Sequence, residues 1–267
     1  LTTSSAASDV YKRQILIPLL KSKDASIQKE ATLQLISAAL SLNQIDEATA
    51  LLNETSPGNP IEESLIRYLS GRLQLAKGNR LSAVATFQAL VNDPETRKNL
   101  PSALYHESTV ALADSLSLEG NESAAIDSLI EILNKNPDPP NLGAIFARLR
   151  IWASKTDSSA VILNVSKWAP PRPVFLENPS VKSSSSAQAI NPALPNAIPT
   201  ITLPERRSLY SLSFLVSIQL QSDNIEERRE GRKRAAQLHL LNPSGSAFVN
   251  RSLCLLYTSP SPRDPIG

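Results

Sequence analysis

The side chains best suited to chemistry are two histidines and one cysteine, and their spacing does not assemble a site. His106 and His239 are far apart in the chain. Neither has the Glu-x-x-His or His-x-x-x-His neighbourhood that sets two ligands on one helical face. A metal at either would need carboxylates from elsewhere, so both read as surface residues. Cys254 is the only cysteine, which excludes an intrachain disulfide and a thiolate cluster and leaves the redox compartment open. Serines are numerous, yet no Gly-x-Ser-x-Gly elbow occurs, nor a Ser-x-x-Lys with its supporting motifs. Ser22 and Ser26 stand at helix starts, where capping is the ordinary role. There is no glycine loop for phosphate. The residues point to no enzyme, no cofactor and no metal.

One charged run invites a different chemistry. Glu226 to Arg234 mixes three acids with five bases, and Glu230 stands four residues before Arg234, the spacing of an ion pair on a solvated helix face. No aromatic residue adjoins it, and a formal charge of +2 over 267 residues is too small to gather nucleic acid or an anionic membrane. No apolar run reaches the roughly 18 to 20 residues of a spanning helix. The stretch Leu209 to Leu220 comes nearest and is broken by Ser211, Ser213, Ser217 and Gln219.

What remains is a chain built for packing. Aromatics make up only 4% while the apolar content is 41%, a mixture of Ala, Leu and Ile that favours helices over sheets. Helical periodicity is clear from residue 24 to 136. Pro57, Pro60, Pro94, Pro101 and Pro137 fall between the periodic segments, where a missing N–H does no harm. Asn59-Pro60-Ile61-Glu62 reads as an N-cap, a first-turn proline and an acid facing the positive helix end. Gly78 and Gly120 each end a helix, as residues able to take the left-handed conformation of a C-terminal cap.

Aligning these turns exposes a repeat. Asn43, Gly78 and Gly120 lie 35 and 42 residues apart. Five residues after each comes Ala48, Ala83 or Ala125, and four further on comes Leu52, Phe87 or Leu129. Each second helix thus sets a small residue where helices cross closely, with a large one a turn later. Gly71 inside the preceding helix costs about 1 kcal/mol relative to Ala, so a close crossing is expected there; Ala113 holds the same place in the next unit. A lone pair buries too little to offset the ordering of its own chain, so three or more must stack.

On Tyr68, Gly71, Gly78, Ala83, Phe87 and Pro94, then Ala113, Gly120, Ala125, Leu129 and Pro137, and more weakly Ala48, Leu52 and Pro57, the chain resembles the tetratricopeptide repeat family over about 115 residues. The usual aromatic near the start of the first helix is missing, and the residues between Pro94 and Pro101 lengthen one connection. The resemblance implies an all-α fold, a right-handed superhelical stack of antiparallel helix pairs. It also implies a concave face, lined by the first helix of each pair, that binds a peptide or helical segment of a partner protein. By that carry-over Leu65, Tyr68, Arg72 and Leu75 would face the ligand, with Glu107, Val110, Asp114 and Ser117 from the next unit. The alternative reading is an accessory array of a larger enzyme or of an envelope or secretion assembly.

The expected organisation is helical repeats over 15–168, a disordered linker over 169–204, and a further helix pair over 205–253. Residues 141–155 and 157–168 read as a fourth, poorer pair, with Asp157 or Ser158 capping its second helix. The linker holds eight prolines and the run Ser183 to Ser186, and it interrupts the stack as a Pro/Ser-rich loop. A helix over Leu209 to Leu220 and another over Ile225 to Leu241, closed by Asn242-Pro243, then resume it, the alternative being a separate domain. The ends, 1–14 and 254–267, resemble translated adapter sequence and are expected to be non-native. The chain contains no Met and reads as a fragment, with its compartment open.

Overall fold

The structure, a computed structural model, describes residues 2–139, 141–170 and 206–241, apart from the side chains of residues 2–7, 239 and 240. Most of the expected linker, the segment 242–253 and the carboxy-terminal tail lie outside the described residues, as does the His239 side chain. The described residues form twelve helices and no strand. Two compact units divide them, at Asn136 and Pro137.

The first unit contains α1 (Thr2–Leu19), α2 (Ala25–Ser41), α3 (Ile45–Glu54), α4 (Pro60–Ala76), α5 (Arg80–Asn92), α6 (Pro94–Asn99), α7 (Ser102–Leu118) and α8 (Glu122–Lys135). Three hairpins, α2 with α3, α4 with α5 and α7 with α8, are closed by the same turn. Asn43, Gly78 and Gly120 have φ of 58°, 81° and 79°. The following amide in each case bonds back across the helix end: Gln44 N–H to Ala39 O at 2.8 Å, Asn79 to Gln74 at 2.8 Å, Asn121 to Leu116 at 2.9 Å. This is the six-to-one bond of a Schellman cap, and Asn43 substitutes for glycine because its short polar side chain tolerates the left-handed region.

Side chains cap several of the helix starts. The Asn59 carboxamide oxygen accepts from Glu62 N–H at 2.9 Å, as the sequence predicts. At α2 the cap is Asp24, which accepts from Ser26 N–H at 2.8 Å, so Ser26 is a donor in the first turn and not the cap. Inside the hairpins Ala48, Ala83 and Ala125 are completely buried, as are Phe87 and Leu129, whereas Leu52 is half-buried. A Cβ placed on Gly71 would stand 2.7 Å from two carbons of the Phe87 ring, which confirms the close crossing of α4 and α5.

One element of this unit departs from expectation. Pro94 opens a helix instead of closing a unit: Asp93 accepts from Thr96 N–H at 3.0 Å, and α6 follows. The seven residues Pro94 to Leu100 account for the step from 35 to 42. At the amino end, α1 packs along α2. Its Arg13 is paired with Glu47 of α3 at 2.8 Å.

The second unit comprises α9 (Leu142–Ala153), α10 (Ser159–Ser166), α11 (Arg206–Gln221) and α12 (Ile225–Leu241). Asp157 accepts from Ser159 N–H at 3.0 Å at the start of α10. The expected pairing of α9 with α10 gives way to packing on α11, which touches α9, α10 and α12. The reason is aromatic. Phe146 of α9 stacks on Tyr210 at 5.6 Å and meets the edge of Phe214 at 6.3 Å, both from α11.

Along α12, Glu226, Glu227, Arg229, Arg232 and Lys233 are exposed, the expected solvated face. Glu230 and Arg234 pair at 3.3 Å on its half-buried edge. Among the described residues no helix is long and apolar enough to cross a membrane.

Candidate interaction groove

The first helices of the three hairpins, α2, α4 and α7, lie side by side, with α4 touching both neighbours. Between them runs an open groove of about 350 Å³. Its floor and walls come from Leu33, Gln34 and Ser37 of α2, from Ile61, Leu65, Tyr68 and Leu69 of α4, and from Pro101, Ala103, Leu104 and Glu107 at the start of α7.

The groove is held in shape by polar bonds between its helices. Arg72 reaches from α4 to α2, donating to the Ser37 hydroxyl at 3.0 Å and to the Ser41 hydroxyl at 3.3 Å. Its guanidinium lies 5.8 Å from the centre of the Tyr68 ring, within reach of a cation–π attraction. At the start of α4, Glu62 binds Lys29 of α2 at 2.5 Å and accepts from Gly58 N–H at 2.7 Å. The Lys29 ammonium, and next the Gly58 amide, hold the Glu62 carboxyl below the usual carboxylate range. On the α7 side, Tyr105 is flanked by Arg97 of α6 at 5.0 Å and by Lys135 of α8 at 5.7 Å. Those contacts fasten the inserted helix beside the groove wall.

Tyr68 is the pivot. Its ring is 9% exposed and tilts against Phe87 at 6.0 Å, so it joins the groove to the helix crossing at Gly71. Burial pushes its phenol up to about 12, with Arg72 opposing the rise and Glu107 adding to it. The neutral phenol is therefore favoured in the folded state. Its contribution is whole below the ordinary value near 10 and fades as pH rises from there through about 12. A spectrophotometric titration is expected to show a late tyrosinate contribution near 12 that Tyr68→Phe reduces; a Tyr68→Phe curve identical to the parent's would refute the assignment.

Of the eight residues carried over from the repeat resemblance, Leu65, Tyr68 and Glu107 line the groove, and Arg72 braces it. Leu75, Val110, Asp114 and Ser117 are half-buried farther along α4 and α7 and do not line it. The contribution of α2 was missed, although a signal existed. Counting back 35 residues from Tyr68 and Arg72 gives Leu33 and Ser37, which are the groove residue and the Arg72 acceptor.

His106 takes no part in the groove. It is half-buried, its Nε2 stands 3.5 Å from the Asn136 carboxamide nitrogen, and burial holds its imidazole below the ordinary value. No group of three His, Cys, Asp or Glu side chains able to hold a metal ion occurs among the described residues.

No family model matches the chain, and neither a curated protein nor a solved structure is found to match it.

Proposed function

We propose that α2 to α8 form a tetratricopeptide-type solenoid whose groove binds an extended or helical segment of a partner protein. The observation that carries this reading is that the groove is made by the first helices of three successive hairpins, all closed by the same left-handed turn. Stacking repeated pairs side by side is how a solenoid generates an extended concave surface. The wall is mostly aliphatic, with the polar groups of Gln34, Ser37, Tyr68 and Glu107 set among it, the mixed character of a peptide site. The chain serves as a scaffold in this reading, with no reaction of its own.

Site-specific photo-crosslinking tests it. A crosslinker at position 65 is expected to capture a discrete partner, whereas one at Leu81, an outward position 74% exposed on α5, is not. A synthetic peptide from the captured segment should then bind the chain in calorimetry and weaken at least tenfold on Leu65→Glu, a loss of about 1.4 kcal/mol or more. Arg72→Glu should weaken it as well, by breaking the brace to Ser37 and Ser41. Affinity unchanged by both substitutions would remove the groove from consideration.

A further inference from the structure

The lining of the groove restricts what can occupy it. Its walls are dominated by Leu33, Ile61, Leu65, Leu69, Pro101 and Leu104. Ile61 stands 53% exposed at the lip, an apolar surface that water covers at a cost. A cavity of about 350 Å³ falls at the small end of the range for ligand pockets, the scale of one bulky side chain and not of a whole helix face. Such anchors supply most of the affinity at protein interfaces.

Charge supplies the second restriction. Glu107 is exposed and is the only formally charged residue among those lining the groove. No cation pairs with it among the described residues. The ions on the neighbouring rim are already matched: Lys29 with Glu62 at 2.5 Å and Arg67 with Glu63 at 2.6 Å. The Arg72 guanidinium is turned to Ser37 and Ser41. A segment carrying carboxylates would bring like charges together at Glu107, whereas a basic one meets its complement there.

Resting on the reading of the groove as a binding site, we propose that its occupant is a protein segment with one bulky apolar side chain and a Lys or Arg beside it in sequence. The apolar group enters between Leu65 and Leu104, and the cation meets Glu107. The apolar anchor supplies affinity; the cation fixes direction and rejects acidic sequences.

The test uses the full chain and a displayed library of random linear peptides, with recovered sequences synthesised and titrated calorimetrically. Binders are expected to join a large apolar residue to Lys or Arg and to weaken at least tenfold on Glu107→Lys and on Leu65→Glu. Replacing the peptide's basic residue by Glu should restore binding to the Glu107→Lys variant. Helicity measured by circular dichroism checks each variant, and Glu107→Gln provides a milder exchange at an exposed position. Binders that need Leu65 but are acidic or neutral, and that tolerate both Glu107 exchanges, overturn the basic-partner proposal and leave the groove standing. Binders indifferent to Leu65→Glu, or a selection that recovers none, overturn both.

Discussion

Phe87→Ala is expected to lower the stability of the first unit by about 3–5 kcal/mol, the usual cost of emptying a fully buried aromatic site. Phe87 is 0% exposed and lies under both Gly71 and Tyr68, so its loss leaves a cavity that neither neighbour can fill without moving. Gly71→Ala attacks the same contact from the other side. The exchange gains about 1 kcal/mol of helix propensity, but its methyl would stand 2.7 Å from the Phe87 ring. Overpacking of that kind costs about 1–3 kcal/mol, so the net effect is a loss or close to zero. The informative variant is Gly71→Ala with Phe87→Leu, which copies the Ala113 and Leu129 arrangement of the next hairpin. Urea unfolding of the two single exchanges and the pair should show coupling of about 1–2 kcal/mol in favour of the pair. Simple additivity would mean that the two positions do not share one packing site.

Gly231→Leu should be the most damaging exchange in the second unit, at about 1–3 kcal/mol. Its Cβ would stand 3.1 Å from the Leu220 amide nitrogen and 3.1 Å from the Gln219 Cβ. A backbone atom cannot rotate away as a side chain can, so α12 must lift off α11. Arg232→Ala, one residue on and exposed, should change stability by no more than about 0.5 kcal/mol. Thermal unfolding compares the two, and amide exchange should quicken in α11 and α12 of the glycine variant. Equal melting temperatures for Gly231→Leu and the parent chain would show that the helices do not meet there.

The hairpins of the first unit were legible because their signals are local. A left-handed residue, a cap and a small-then-large pair lie within a dozen positions of one another, and each has its own steric reason. Helix α6 escaped notice because six residues are too few for periodicity to register. Yet Asp93-Pro94-Glu95 carries the same cap-then-proline order as Asn59-Pro60, and it could have been read the same way. The packing of α9 on α11 could not be foreseen, since it depends on Phe146 meeting Tyr210 from 64 positions away. Nor does a charge run disclose that Gly231 within it marks a helix crossing. In the groove, α4 was visible through Tyr68 and Arg72. The share of α2 was hidden because its unit lacks an aromatic and places Leu33 and Ser37 at the matching positions.

The crossing at Gly71 also bears on which exchanges this chain can accept over time. The matched positions hold Ile36 and Leu52 in the first hairpin, Gly71 and Phe87 in the second, Ala113 and Leu129 in the third. In the second and third hairpins the small residue is on the first helix and the large one on the second, whereas in the first hairpin Ile36 is fully buried and Leu52 is only half-buried. At a close helix crossing the space between the helices is filled from whichever side supplies the atoms. Residue identity at 71 is thus free to drift only in step with its opposite number at 87.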